Sequence, residues 1–228
     1  SESWVSKMIF CPACGAEITH CNRPVCDYVC SACSEEYELK SKKNKIGNKI
    51  VDGAYATMMN RLIGSNNPNL FLLSYHNFKV CDFFAVPKYF FIPAIIEKRK
   101  PLSDKARRAG WVGCNILLHG VPEVGKIFYI KHGNLISKKQ VLNEWAKTTF
   151  LKETKNLAAK GWLLDVMLCI ERLQKKVFQL DEIYLFEKDL SSKYPSNRHV
   201  KDKIRQQLQI LRDKGYLSFV GRGRYKIL

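Results

Sequence analysis

Two pairs of cysteines, Cys11-Pro-Ala-Cys14 and Cys30-Ser-Ala-Cys33, stand fifteen residues apart and carry the firmest chemical signal in the chain. Each CxxC turn can bring two thiolates to the ~2.3 Å bond length of one zinc ion, and two turns close a tetrahedron that leaves no position for substrate. The zinc expected here is therefore structural. Disulfides are the competing use of the same residues, but two strained vicinal loops in a chain with no visible secretory signal are the less economical arrangement. Cys21 and Cys26 lie inside the loop without a CxxC partner. Cys81, Cys114 and Cys169 sit in apolar stretches, where a buried small hydrophobe is the default. A reducing cytoplasm suits this cysteine usage.

Around the second pair the sequence runs Asp27-Tyr-Val-Cys30-Ser-Ala-Cys33-Ser-Glu-Glu-Tyr-Glu38-Leu-Lys40. In a strand successive side chains alternate, so Glu38 and Lys40 project from one face and Leu39 from the other. If Asp27 lies on the neighbouring strand of a hairpin whose tip the zinc holds, its carboxylate meets that of Glu38. Two hard oxygen donors make a Mg²⁺ site that keeps waters and takes substrate phosphate, with the Leu39 backbone carbonyl as a further ligand. Phosphodiester hydrolysis needs this set: a metal to polarise the phosphoryl oxygen, and an amine, Lys40, to orient the attacking water and offset charge at phosphorus. Glu153-Thr-Lys155 has the same acid-x-Lys spacing at the edge of a helix and is assigned no role. What separates the two is position, because the zinc ligands bracket Asp27 and precede Glu38. The bland alternative for either triplet is a solvated face.

The 228-residue chain carries 38 Lys and Arg against 21 Asp and Glu, a formal +17 at pH 7, with a pI near 9.5. Such an excess calls for a polyanionic partner, nucleic acid first. An anionic membrane ranks below it, since neither a polybasic terminus nor a basic amphipathic helix beside an anchor is visible. Three basic runs stand out: Lys40, Lys42, Lys43, Lys45 and Lys49; Lys98, Arg99, Lys100, Lys105, Arg107 and Arg108; and nine cations between positions 198 and 226. Three in one chain favour a continuous phosphate track over isolated solvated faces. With 46% hydrophobic residues, a chain of this size can bury roughly 70% of its unfolded surface, which excludes wholesale disorder. No run approaches the ~20 apolar residues of a membrane helix.

Short β-rich segments at 24–31, 36–39, 70–75, 80–86, 115–118 and 126–131, with helices at 53–63 and 138–151, predict a mixed α/β domain over residues 1–155. Asp52 precedes the first helix and is expected to cap it. From 156 to 228 helical periods dominate, at 162–173, 180–190 and 199–214. The chain then ends in two short strands, 216–220 and 225–228, across Gly221-Arg222-Gly223-Arg224. Three helices and a small hairpin are the pattern of a winged helix-turn-helix domain.

Five blocks in order carry a resemblance: the cysteine region 11–33, SEEYELKSKK (34–43), DGAYATMMNR (52–61), ARRAGWVGCNI (106–116) and KIRQQLQILRDKGYLSFVGRGRYKIL (203–228). Over nearly its whole length the chain resembles the DpnI and Dam-replacing restriction endonucleases. The resemblance implies an α/β PD-(D/E)xK nuclease domain with an inserted four-cysteine zinc site, followed by a C-terminal winged helix-turn-helix domain. It implies cleavage of double-stranded DNA at GATC sites carrying N6-methyladenine, in the cytoplasm of a prokaryotic host. By motif, the metal-binding acids fall on Asp27 and Glu38 and the lysine on Lys40, with Mg²⁺ as catalytic and Zn²⁺ as structural cofactor. One departure is local: the motif places Pro-Asp ahead of the second acid, whereas Asp27 follows Cys26, with Pro24 three residues upstream. The protein is expected to act as a monomer, with no required protein partner and no membrane.

N6-methylation replaces one N–H donor in the major groove with a methyl group. One methyl is worth only ~1–3 kcal/mol in a hydrophobic pocket, so two reading modules on one motif would multiply the discrimination. In the first domain Trp111, beside Arg107 and Arg108 and flanked by glycines, is the candidate aromatic reader. A buried core tryptophan, as expected of Trp162, is the ordinary alternative. Lys42 and Tyr55 are further candidate DNA contacts. In the second domain Val200, Ile204, Leu208 and Leu211 form a core stripe, which leaves Asn197, Arg198, His199, Lys201, Arg205 and Gln206 to meet base edges at the helix start. Asn and Gln suit adenine and Arg suits guanine, although Asn197 could equally be an N-cap. Arg222 and Arg224 should reach backbone or minor groove. The main rival reading is a zinc-ribbon and winged-helix protein that binds methylated DNA without cutting. A third is a Mg²⁺-dependent nuclease acting on RNA or unmodified DNA.

Overall fold

Alternating apolar and polar residues organise the first half of the chain into strands. A computed structural model, which describes residues 5, 9–23 and 25–228, shows how they pair. Pro24, the first residue of one expected strand, lies outside the described residues. Strands β1 (Ile18–Arg23), β2 (Cys26–Cys30), β3 (Glu36–Lys43), β5 (Asn69–His76), β6 (Lys79–Val86), β9 (Ile127–Lys131) and β10 (Asn134–Leu135) form a seven-stranded sheet in the order β1-β2-β3-β5-β6-β9-β10. Every neighbouring pair in it is antiparallel except β3 and β5. A parallel pair needs a crossover, and this one contains β4 (Lys49–Ala54) and helix α1 (Tyr55–Ile63). β4 joins a second, three-stranded sheet in the order β4-β8-β7, with β7 at Ile96–Lys98 and β8 at Gly113–Leu117.

Period-two alternation decides which face of β3 does what. Tyr37 is fully buried and stacks on Phe71 of β5 at 4.4 Å between ring centres. Trp145 of helix α2 (Lys138–Ala146) tilts against Tyr37 at 6.5 Å, and Phe83 and Tyr129 complete this aromatic core. Stacked and edge-on aromatic pairs of this kind add about 0.5–1.5 kcal/mol each beyond their buried area. Glu38 and Lys40 must then leave the sheet on the opposite face. The start of β5 is pinned by Asn69, wholly buried, whose Nδ2 donates to Glu35 Oε2 and to the Glu36 carbonyl, both at 2.9 Å, while its Oδ1 accepts from Lys88 N.

The chain divides into two units, residues 1–149 and 150–228. The second contains α3 (Leu157–Arg172), β11 (Val177–Gln179), α4 (Leu180–Tyr184), α5 (Glu187–Lys193), α6 (Val200–Asp213), β12 (Leu217–Gly221) and β13 (Arg224–Ile227). Its sheet has the order β11-β13-β12, so the expected terminal hairpin gains a third strand. The helix expected over 180–190 is two short helices, α4 and α5. Val200, Ile204, Leu208 and Leu211 of α6 are all buried, as the helical stripe required. Asp165 of α3 accepts from Tyr194 Oη and Lys193 Nζ, each at 2.5 Å, and Trp162 stacks on Tyr194 at 4.0 Å, which ties α3 to the end of α5.

Cys114 and Cys169 are buried and Cys81 is partly exposed. Cys21 and Cys26 form a disulfide pair across the β1–β2 hairpin, with Cα atoms 5.6 Å apart. Reading the cysteines for a reducing compartment does not anticipate that pairing. Among the described residues no helix is long and apolar enough to cross a membrane.

Candidate active site

The β2–β3 hairpin begins the site. Cys30 ends β2, Cys33 lies in the turn, and the first CxxC knuckle, closed by the Phe10–Glu17 bridge, is held beside them by Ser31, whose N–H and Oγ donate to the Glu17 carbonyl at 3.2 and 3.1 Å. Cys11, Cys14, Cys30 and Cys33 bring their sulfurs within 4.8 Å of one another. Cys11 and Cys33 sulfurs are 3.6 Å apart, and those of Cys14 and Cys30 are 3.4 Å apart. A tetrahedron with ~2.3 Å zinc–sulfur bonds has edges of about 3.8 Å, so the four thiols are spaced to hold a zinc ion and too far apart for disulfides. Burial raises the Cys30 thiol pKa, but N–H groups of Cys33 and Ala32 directed at its sulfur, at 3.5 and 3.4 Å, outweigh that and lower it to about 7. Burial pushes Cys11 well above the ordinary thiol range, and its sulfur lies 3.0 Å from Tyr37 Oη. That contact joins the cysteine cluster directly to the aromatic core.

From this tip the antiparallel register, Tyr28 opposite Tyr37 and Val29 opposite Glu36, runs back toward Asp27 and Glu38. Asp27 Oδ2 accepts from the Leu39 N–H at 2.6 Å, so one carboxylate oxygen is fixed by the β3 backbone. Glu38 bonds Lys40 directly, both side chains being largely buried. Desolvation raises the Glu38 pKa, and the nearby Asp52 and Asp27 charges raise it further against the opposing pull of Lys40. Burial alone would depress Lys40, but Glu38 and Asp52 outweigh it, and the amine holds its proton more tightly than usual. A pocket with an excess of carboxylate charge and hard oxygen donors fits a divalent cation, which would offset the repulsion among the acids.

Asp52 does not cap α1. The N-cap is Ala54, with no side-chain cap bond, and Asp52 sits on β4, where its Oδ1 lies 2.8 Å from Lys40 Nζ. Its side chain is only 7% exposed. Sequence reasoning missed this residue because it missed β4. The available signal was alternation, since Asp52 falls two positions from the buried Ile50 and so shares its face. The turn before Asp27 is also unusual: Val25 holds φ at 64°, a left-handed conformation that β-branched residues seldom adopt, and it lines the same small cavity as Glu38. Glu153 of the rival triplet pairs with Lys214 in the second unit.

A cleft of about 260 Å³ beside Lys40 is lined by Lys42, Lys49, Ile46 and Val51, giving the site a cationic flank. On the small sheet, Asp52 pairs with Cys114 and Ala54 with Gly113. Trp111 precedes β8, and Tyr55 N donates to the Val112 carbonyl at 3.0 Å, so Tyr55 and Trp111 lie at the same end of the β4–β8 pair that carries Asp52. Arg108 lies over the half-buried Trp111 ring at 4.7 Å, and Lys98 over Tyr55 at 5.6 Å. Arg107 is exposed on the same loop.

In the second unit Arg198, His199, Lys201, Arg205 and Gln206 are exposed at the start of α6, and Arg222 and Arg224 are exposed on the β12–β13 wing. Asn197 is engaged locally: its Oδ1 accepts from His199 N at 2.8 Å, in the turn that enters α6, while His199 is the N-cap. Lys201 pairs with Glu187 at 3.4 Å, Arg205 with Asp202 at 3.2 Å, and Gln206 Oε1 accepts from Lys203 at 2.7 Å.

Two matches to known families fit this division. Residues 1–154 match the family model described as DpnI, the Dam-replacing family, and residues 158–227 match the one described as the Dam-replacing HTH domain.

Proposed function

The chain belongs to the Dam-replacing (DpnI) family, and from that membership we propose that it is a Mg²⁺-dependent endonuclease that cleaves double-stranded DNA at GATC sites carrying N6-methyladenine. What supports cleavage, beyond binding alone, is the gathering of Asp27, Glu38 and Lys40 beside the β2–β3 hairpin, where one carboxylate is fixed by Leu39 N–H and the other contacts the amine. Residues 1–155 form the PD-(D/E)xK nuclease domain and 156–228 the winged-helix domain. Asp27, Glu38 and the Leu39 carbonyl would hold the Mg²⁺, which would supply polarisation of the phosphoryl oxygen and a more acidic water. Lys40 orients the attacking water and offsets negative charge developing at phosphorus. The four cysteines keep the hairpin that carries both acids closed at its tip.

Trp111, with Arg107 and Arg108 beside it, presents an aromatic surface to the methyl group of the modified adenine, while α6 and the wing arginines read the same motif from the second domain. Lys42 and Tyr55 contact the phosphate backbone. Plasmid prepared from adenine-methylating and non-methylating hosts, incubated with and without Mg²⁺, tests the reading. Fragments are expected only from methylated plasmid with Mg²⁺. Binding without fragments would leave a non-cleaving reader of methylated DNA, and fragments from both plasmids would remove the methyl requirement. Trp111→Ala is expected to narrow the preference for methylated over unmethylated sites by roughly 10–200-fold, the worth of one methyl contact. Equal preference in the variant and the unsubstituted protein, from parallel single-turnover rates, would take Trp111 out of recognition.

A further inference from the structure

Resting on the nuclease reading above, we infer that Asp52 is a positioning residue that holds the Lys40 ammonium in place for phosphodiester cleavage. Lys40 has two acidic partners, Glu38 on its own strand and Asp52 on β4. Glu38 is the one committed to the metal, and an oxygen that serves a divalent cation is a weakened acceptor for a lysine. Lys40 then keeps one fixed partner, the Asp52 carboxylate at 2.8 Å. That carboxylate is well anchored: its side chain is 7% exposed, and its strand is paired to β8 on either side of it, Val51 with Asn115 and Ala54 with Gly113.

Asp52 could instead be a third metal ligand, and the geometry speaks against it. Among the described residues the cysteine quartet is the one group of three or more His, Cys, Asp or Glu whose ligand atoms converge within metal-binding reach. Asp27, Glu38 and Asp52 do not gather around one point. Asp52 reaches the site by way of Lys40, from a different sheet, so the lysine is held between two independently built elements. An amine on a flexible four-carbon stem loses its aim when only one end of its environment is fixed.

The test uses the full chain and four proteins: unsubstituted, Lys40→Ala, Asp52→Asn and the double variant. Asp52→Asn is expected to slow single-turnover cleavage roughly 10–100-fold, as loss of an orienting partner does. DNA affinity measured without Mg²⁺ and the Mg²⁺ concentration for half-maximal rate should stay unchanged. In the Lys40→Ala background the same substitution should slow cleavage no further. Melting without added Mg²⁺ gives a readout independent of activity. Asp52→Asn should lower the melting temperature of the unsubstituted protein but raise that of Lys40→Ala, where it removes a carboxylate left facing Glu38 without its cation. Equal rate losses in both backgrounds, equal melting shifts in both, unimpaired cutting by Asp52→Asn, or an increased Mg²⁺ requirement would each overturn the inference. If the unsubstituted protein leaves methylated plasmid intact, it is the nuclease reading that fails, and the sign of the melting shifts alone decides whether Asp52 holds Lys40.

Discussion

Lys40→Ala should abolish cutting of methylated plasmid while leaving DNA binding intact, with a loss of roughly 10²–10⁴-fold in single-turnover rate, the range for removing a positioned proton-transfer group. The amine is not a bystander on the strand, because it contacts Glu38 and Asp52 together and sits beside the cleft lined by Lys42 and Lys49. Those two lysines and the arginines of the 99–112 loop remain in the variant, so its affinity for the duplex should change little. Without the ammonium, Glu38 and Asp52 face each other with like charge. A lower melting temperature is therefore expected, and the assay belongs well below it. Gel-shift titration and cleavage on the same methylated duplex separate the outcomes. If affinity and rate fall together, Lys40 is a phosphate contact and the assignment of its catalytic role is wrong.

Removal of zinc should unfold the first unit. Structural zinc contributes on the order of 10–16 kcal/mol in small zinc modules at neutral pH, comparable to or larger than the whole stability of most domains. Here the effect should spread beyond the knuckles, because Cys11 is wholly buried and touches Tyr37, whose ring stacks on Phe71. Tyr37 is adjacent to Glu38, so the cysteine cluster touches the same strand that carries the proposed cleavage site. Cys11→Ser, or chelation verified by metal analysis, is expected to flatten the near-ultraviolet signal of the aromatic core and to abolish cleavage even when Mg²⁺ is resupplied. An unchanged melting curve after verified metal loss would show that packing alone closes the hairpin.

The cysteine knuckles and β3 are legible because their signals are local. CxxC pairs announce their own turns, and Glu36-Tyr-Glu-Leu alternates with period two. β4 is hidden by its composition: Lys49-Ile-Val-Asp-Gly-Ala contains a glycine, an aspartate and an alanine, all poor strand formers, and only Ile50 is buried. It exists because β8 supplies a partner, which is tertiary information. On sequence alone Asp52 therefore reads as a helix cap, the ordinary role of an aspartate ahead of a helix. The Cys21–Cys26 pairing depends on a hairpin whose register shifts between His20 and Arg23, and no spacing rule encodes such a shift. Base-reading assignments on α6 are out of reach for a related reason, since partners such as Glu187 for Lys201 come from a different helix.

The Trp111 indole lies where a β-carbon on residue 113 would stand 2.8 Å from its Cη2 and Cζ3 atoms, so glycine at 113 is what lets the ring rest there. Any side chain at 113 must tilt the indole, and a methyl or hydroxymethyl would tilt it by different amounts. Given the reading role proposed for Trp111, selection for a different modified base has a route that spares the aromatic itself: a one-carbon shim behind the ring, inserted from the backbone. Laboratory evolution of altered base preference should find its first useful diversity at this position.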